Sequence, residues 1–352
     1  GLAQALKAVT EKLPPRYSPG DISLVSVSTT LATNAVVEDQ RGPICTLLIG
    51  FDQKMLARAR LQHALGSNPV ALIAGGHKAN GEELTALDLD AARAAILAHA
   101  AQVDAFAISS LFSVRNPGHE IRVRQLVREL TNKPVTCGHE LTSGLDAPRR
   151  ALTAALNAQL TPQIRHLIEA VQATLSSSGI DATLMVVKGD GSLMAAKVAL
   201  ECPVETILSG PAASVVGAKF LTGLSDFVVS DMGGTTTDLG ILAGGRPQVA
   251  EQGADVGGWR TMVKAIDVKT IGLGGDSEIA IGLNAKMELG PQRVAPISLI
   301  ASRYPEVVAM LEADLADTEG GSLHGRFVLR PFGASGAAPA AELNPREAEL
   351  LA

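Results

Sequence analysis

Aromatic residues and cysteines are scarce in this chain, and it has neither a one-sided charge excess nor a membrane-length apolar run. Only 3% of its 352 residues are aromatic, so Ala, Leu, Val and Gly must carry the core. The three cysteines, Cys45, Cys137 and Cys202, stand far apart and form no C-x-x-C pair. That pattern gives no zinc signal and suits a reducing cytoplasm. Each reads as a small buried apolar residue, not as a nucleophile. No apolar run reaches the length of a membrane span, and no signal peptide is recognisable. The net charge of −6 argues against a general nucleic-acid binder. P-loop, H-E-x-x-H and G-x-S-x-G sequences are missing, so those nucleotide, zinc-protease and serine-hydrolase signatures do not apply.

The chain is 46% hydrophobic and 19% charged, the balance of a globular protein long enough for two domains. It opens on Gly1 rather than Met, inside a predicted helix from Leu2 to Leu13, and reads as a fragment or a processed chain. Strands and helices alternate, the pattern of an α/β protein. Strands are expected at Ile22–Val27, Ile44–Ile49, Val70–Ala74, Ala105–Leu111, Pro134–Cys137 and Leu184–Val187. A short helix is expected at Thr33–Glu38. Asp88 caps a helix to Gln102, and Pro117 opens another to Leu130. A boundary falls at Gly138–Gly144. A long helix then runs from Ala147 to about Leu175, with Pro162 expected to kink or split it. Pro211 suits the first position of a helix to Phe220. Further strands are expected near Val249 and at Val268–Ile271 and Ile279–Ile281. From Ser302 the periodicity is weak, and Gly333–Ala341 reads as a flexible tail.

Residues 230–241 read S-D-M-G-G-T-T-T-D-L-G-I. Asp231 ends one apolar strand and Asp238 opens the next. Gly233 and Gly234 permit a tight turn with positive φ and close backbone approach to a ligand. Thr235, Thr236 and Thr237 place three hydroxyls beside freed amides. Such a turn can wrap a phosphate, with Asp231 holding a metal-bound water or orienting a nucleophile. An ordinary hairpin explains Gly-Gly equally well, but not three threonines between two aspartates. The small residues of the preceding helix, Ser209–Gly217, fit close packing or a neighbouring site.

The order helix, strand, D-x-G-G-x-x-x-D hairpin, strand resembles the actin-like ATPase superfamily, in which two α/β lobes close on Mg·ATP. Further elements narrow the resemblance to the hydantoinase A / 5-oxoprolinase family. They are V-S-T-T-L-A-T-N-A at 27–35, S-L-F-S-V-R-N-P-G-H-E at 110–120, H-E-L at 139–141, S-G-P-A at 209–212, the hairpin itself, and T-I-G-L-G-G-D-S at 270–277. The resemblance covers about residues 1–285. It implies an N-terminal lobe (1–145), an ATPase-like lobe (146–330) and a tail (331–352). It also implies ATP and Mg²⁺ as cofactors, with Asp231 catalytic, Asp231 and Asp238 at the metal, and Gly233, Gly234, Thr235, Thr236, Thr237 and Asp238 on the nucleotide. Gly272, Gly274 and Gly275 join that nucleotide set, as do Thr29, Thr30 and Asn34, with Thr33 beside them. For the Thr29–Asn34 stretch, a plain helix start capped by Thr33 or Asn34 is an equal reading.

The implied activity is ATP-coupled opening of a cyclic amide such as 5-oxoproline or a hydantoin, with a second, hydantoinase B-like subunit as a possible partner. An ATP-using subunit of a ketone carboxylase and a nucleotide-responsive, non-catalytic module are the alternatives. His119-Glu120 and His139-Glu140 are expected in surface or capping roles, since neighbours on a helix diverge. Arg149, Arg150 and Arg260 are candidate anchors for a substrate carboxylate.

Three departures from the family pattern stand out. Its first phosphate hairpin, D-x-G-G-T-x-T-D, lies upstream of where this chain begins. The F-G-G-A-G-P turn has only a poor counterpart at 331–334, and the P-G-P-A-C-Y-G run expected after about Gly290 is absent. The family's G-A-G-G-G-S carries Leu273 and Asp276 here, and Asp276 sets a negative charge beside the expected phosphate. Lacking about three charge-assisted hydrogen bonds from the first hairpin forfeits roughly 4–9 kcal/mol. The chain alone is therefore expected to bind ATP weakly and turn over little.

Overall fold

The computed structural model describes residues 2–37, 41–281 and 286–316. The chain packs as two units: Gly1–Asp231 with Asp238–Thr270, and Met232–Thr237 with Ile271–Ala352.

In the first unit, four parallel strands lie side by side in the order Val70–Ile73, Ile44–Ile49, Ala105–Ser110, Val135–Cys137. The two central strands are buried at every position, as a parallel sheet covered on both faces requires. Alternation divides their side chains between two cores. Cys45, Leu47, Ile49, Phe106 and Ile108 pack with Ala92 and Ile96 of helix Leu89–His99 and with Val123, Leu126 and Val127 of helix Gly118–Thr131. Ile44, Leu48, Ala105 and Ala107 face Ala151, Ala154, Ala155 and Ala158 of the long helix. Asp88 caps Leu89–His99 by accepting from the Ala91 amide at 2.8 Å.

The long helix, Ala147–Ser177, is 31 residues and runs through Pro162 without splitting. Its first half is buried from Arg150 to Thr161, and its second half buries Ile164, Ile168, Val171 and Leu175 at helical spacing. Packing on this scale outweighs the roughly 3 kcal/mol that an interior proline costs. One turn earlier the Thr161 hydroxyl donates to the Asn157 carbonyl at 2.9 Å.

A second sheet pairs Leu24–Val27 parallel to Thr183–Val187, which pairs antiparallel to Leu193–Ala195. A third joins Arg246–Pro247, Thr237–Ala243 and Val268–Ile271, with Phe227–Met232 paired to Thr237–Ala243. Helix Ser209–Thr222 covers this sheet through Ala212 and Val215, which cluster with Leu242 and Ile266. Gly240 leaves the room for that approach: a β-carbon there would lie 2.7 Å from Val215 Cγ2. The helix starts two residues earlier than expected, so Pro211 occupies its third position, still within the turn where no amide partner is lost.

The second unit contains the antiparallel pair Ser277–Ile281 and Met287–Arg293, then helices Ile297–Arg303 and Glu306–Ala316. Regular helix thus continues beyond Ser302, against expectation. The expected tail, with Gly333–Ala341 and residues 331–334, lies outside the described residues, as does Glu38. Among the described residues no helix is long and apolar enough to cross a membrane.

Candidate functional site

The turn Gly233–Thr236 is shaped by backbone contacts within the second unit. The Gly233 amide donates to the Thr236 carbonyl at 2.9 Å. The Gly233 carbonyl accepts from Gly275 at 2.9 Å, and the Gly234 carbonyl accepts from Asp276 at 2.8 Å. Thr237, nearly buried, donates its hydroxyl to the Leu273 carbonyl at 2.6 Å. The two glycine-rich stretches therefore form one assembly. Neither Gly233 nor Gly234 adopts a positive φ, contrary to expectation; the tight approach is at Gly274. A β-carbon on Gly274 would stand 2.5 Å from the Gly234 carbonyl group, and one on Gly234 would stand 2.9 Å from Asp276 Oδ2.

Among the described residues the amides of Gly234, Thr235 and Thr236 have no protein acceptor, and Gly234 and Thr235 are exposed. Three amide donors left over on one turn are of the kind that can bind an anion. The amides of Gly275 and Asp276, by contrast, are engaged in holding the turn, so they serve it from behind. The Asp276 carboxylate, which sets negative charge beside the turn, is paired with Arg293 at 2.7 Å.

In the first unit, Asp231 and Asp238 line one small crevice with Pro211, Ser214, Gly240 and Val268. Asp231 accepts from the Ser214 hydroxyl at 2.6 Å, and Asp238 from the Thr270 hydroxyl at 2.6 Å. Two carboxylates brought to one crevice are hard oxygen donors of the kind Mg²⁺ takes.

Thr29 and Ser209 interlock: the Ser209 hydroxyl donates to the Thr29 carbonyl at 2.8 Å and accepts the Thr29 amide at 3.3 Å. The Thr33 hydroxyl accepts the Leu208 amide at 3.0 Å. Helix Leu31–Val37 begins early enough that Thr33 and Asn34 lie inside it. Neither is its cap; Thr29 Oγ1 accepts the Leu31 amide at 3.0 Å instead. Asn34 turns its side chain back to Thr30 Oγ1 at 3.4 Å.

The His-Glu pairs differ most from expectation. His119 and Glu120 are 3% and 0% exposed, so neither serves the surface. His119 Nδ1 accepts the Gly76 amide at 3.0 Å, which leaves the proton on Nε2, 2.8 Å from Glu83 Oε1. Glu120 Oε1 accepts the Ser110 amide at 2.7 Å, and Oε2 accepts the His139 amide at 3.0 Å and meets His139 Nδ1 at 2.5 Å. The pairing thus runs between the two motifs, not within either. Glu140 pairs with Arg124.

Arg150 is wholly buried and donates to the carbonyls of Gly144 at 2.8 Å and Ser110 at 2.9 Å, while Arg149 holds those of Gln252 and Thr261. Both are structural and are set aside as substrate anchors. Arg260 is exposed and donates to Gln252 Oε1 at 2.8 Å. Burial pushes the Cys45 thiol up to about 12 and Cys202 up to about 11. All three cysteines are free.

Comparison with known proteins places these motifs in context. Residues 150–301 match the family described as hydantoinase/oxoprolinase, and residues 1–131 match the hydantoinase/oxoprolinase N-terminal region. The chain is 29% identical over 320 residues to caprolactamase subunit alpha of Pseudomonas jessenii, covering 83% of this chain and 44% of that one. A solved structure of ATP-dependent caprolactamase from the same organism superposes with a TM-score of 0.70 at 27% identity, covering 92% of this chain and 51% of that one. 5-oxoprolinase 1 of Arabidopsis thaliana is 30% identical over 207 residues, 58% of this chain and 16% of that protein. Nucleotide-free acetone carboxylase shares the fold, with a TM-score of 0.67 at 21% identity over 83% of this chain and 46% of that one. The chain thus spans 44% and 16% of the two curated relatives named here.

Proposed function

Because the chain belongs to the hydantoinase/oxoprolinase family, with the actin-like ATPase fold, we propose that it works in ATP-coupled opening of a cyclic amide of the 5-oxoproline or hydantoin type. The observation that carries this reading is the turn at 233–236. Its amides at Gly234, Thr235 and Thr236 have no protein acceptor among the described residues, and the loop 272–276 fixes its backbone. Those donors, with the Thr235 and Thr236 hydroxyls, hold the phosphate oxygens of ATP, while the Thr237 hydroxyl, given to the Leu273 carbonyl, braces the turn. Asp231 and Asp238 hold Mg²⁺, which neutralises phosphate charge when bound. The ring carbonyl oxygen takes the terminal phosphoryl group and ADP departs. Water then attacks the activated carbon, the ring C–N bond breaks as the nitrogen gains a proton, and a second water hydrolyses the resulting acyl phosphate to a carboxylate and inorganic phosphate.

Gly272 lies next to this loop, with nothing within 4 Å of its β-position, so it tolerates change where Gly274 does not. Thr29 serves the same reading by bracing the start of helix Ser209–Thr222, with Thr30 and Asn34, bonded to each other, beside it as nucleotide contacts. The lobes 1–145 and 146–330 are part of it too. So is a second subunit, supported by the relative named as a subunit alpha. A cytoplasmic setting fits three free cysteines. Ketone carboxylation is the second reading, supported by 28% identity over 211 residues to an acetone carboxylase beta subunit of Xanthobacter autotrophicus.

The test is ATP hydrolysis by the protein with its partner subunit, first with 5-oxoproline or hydantoin, then with acetone and bicarbonate. Cyclic-amide-dependent ADP release supports the first reading. Release that needs ketone and bicarbonate replaces it with the second. Nucleotide-dependent partner binding without turnover on either would assign a regulatory module.

A further inference from the structure

Away from the glycine turn, the first unit gathers a second group of chemically capable side chains. Glu120 comes from helix Gly118–Thr131, Cys137 from the end of strand Val135–Cys137 and His139 from the short helix Gly138–Leu141. Their carboxylate oxygen, sulfur and ring nitrogen all lie within 4.8 Å of one another. We propose that Glu120, Cys137 and His139 form a site for a divalent transition-metal ion, with zinc the best chemical match.

Geometry comes first. Bonds of about 2.0–2.3 Å in a tetrahedral site set ligand atoms roughly 3.3–3.8 Å apart. Glu120 Oε2 and His139 Nδ1, now 2.5 Å apart, need to open by only about an ångström to admit the ion. Cys137 and His139 straddle the joint between strand and helix, so the chain delivers both to one place.

The donor set selects the metal. One sulfur, one imidazole nitrogen and one carboxylate oxygen suit zinc, whereas magnesium and calcium take oxygen alone. The carboxylate is already oriented, by the Ser110 amide at 2.7 Å and the His139 amide at 3.0 Å. Such outer contacts are what fix the ligands of a metal centre.

Charge points the same way. Glu120 is fully buried, and among the described residues its ion-pair partner is His139. The nearby Arg150 directs its donors to the carbonyls of Gly144 and Ser110 instead. On binding, the ion displaces the thiol proton and any proton shared by His139 and Glu120 to solvent. A thiolate and a carboxylate then balance the dipositive ion, with His139 neutral and water in the fourth position. The His139 side chain, 17% exposed, gives the route in from solvent. The bound ion ties together two helices and a strand.

The experiment uses the whole chain, dialysed against zinc or cobalt(II) and freed of loose metal by gel filtration. Mass spectrometry of the metal content is expected to show one equivalent retained. The cobalt form is expected to show thiolate-to-metal charge-transfer absorption, and zinc but not magnesium is expected to raise the melting temperature. Cys137→Ser and His139→Ala should each lose retained metal at least tenfold, with Cys137→Ser also losing the charge-transfer band. Cys202→Ser should keep both. A wild-type chain that retains no zinc and shows no band overturns the proposal whatever the variants do. Retention that is equal in wild type and Cys137→Ser overturns it as well, by placing the metal elsewhere.

Discussion

Gly274 lies against Gly234 so closely that a β-carbon at position 274 would stand 2.5 Å from the Gly234 carbonyl carbon, its oxygen and the Thr235 nitrogen. The two glycines belong to different glycine-rich stretches, and their contact is what fixes the exposed turn. Each partner is backbone, so no side-chain rotation relieves a clash.

Gly274→Ala is therefore expected to displace the turn and cost about 1–3 kcal/mol of stability, the usual range for overpacking. Nucleotide affinity should fall with it. Gly272→Ala, with open space at its β-position, should change neither. Calorimetric titration with Mg·ADP and a thermal melt of both variants make the comparison.

Asp276 and Arg293 form the electrostatic half of the same assembly. The pair is 2.7 Å apart, with Arg293 more than half exposed, so its own contribution to stability is small. Its effect on an anion is larger, because Arg293→Ala would leave the Asp276 carboxylate uncompensated beside the turn. ATP affinity is expected to drop several-fold in Arg293→Ala and to recover in Arg293→Ala/Asp276→Asn. Lack of recovery in the double variant would show that Arg293 contacts the nucleotide itself.

What could be read from the sequence follows from locality. The central strands Ile44–Ile49 and Ala105–Ser110 are continuous apolar runs and reveal themselves without tertiary information. The hairpin is equally plain, because its aspartates, glycines and threonines are contiguous. The Glu120–His139 contact was hidden because the fold makes it across 19 residues, pairing one half of each motif. Its only trace is that both halves carry a His-Glu dipeptide. Arg150 looked available because a charged residue is normally exposed, yet it sits in the buried half of the long helix. Leu193–Ala195 and Ala196–Glu201 passed unseen because three and six residues are too few to show a period.

Arg150 tests the structural assignment directly. It is fully buried and joins the Ser110 and Gly144 carbonyls to the long helix. Arg150→Ala strips the buried Ser110 carbonyl and the part-buried Gly144 carbonyl of their donor and opens a cavity. A loss of about 3–5 kcal/mol is expected, by analogy with breaking a buried charged contact. Urea unfolding measures it. A variant that kept full stability yet lost substrate affinity would return Arg150 to the list of carboxylate anchors.

His77 supplies a pH dependence. It is 2% exposed, with Nδ1 unpartnered among the described residues. Burial holds its pKa below the ordinary value, and the His119 ring, 4.2 Å away, adds to this while Glu83 opposes it. As pH falls, the unfolded chain therefore takes the proton first. The stability that His77 contributes is complete above its unfolded pKa of about 6.5 and declines as pH drops below it. Urea midpoints of wild type should fall between pH 8 and pH 5.5 more than those of His77→Gln, with both values referenced to that pKa of about 6.5.

Asp231 carries the sharpest functional prediction, because it is exposed and so can be replaced without opening the core. Its one side-chain contact among the described residues is the Ser214 hydroxyl at 2.6 Å, which orients the carboxylate into the crevice shared with Asp238. Asp231→Ala should leave the melting temperature nearly unchanged and lower ATP-coupled turnover by about 100-fold or more, the scale of losing a positioned acid–base or metal-holding group. Ser214→Ala keeps the charge and loses only its orientation. A smaller fall, confined to kcat with KM for ATP held, is expected there. Should Asp231→Ala retain turnover, the carboxylate at the metal would have to be Asp238, and Asp238→Ala with its Thr270 partner intact would then show the full loss.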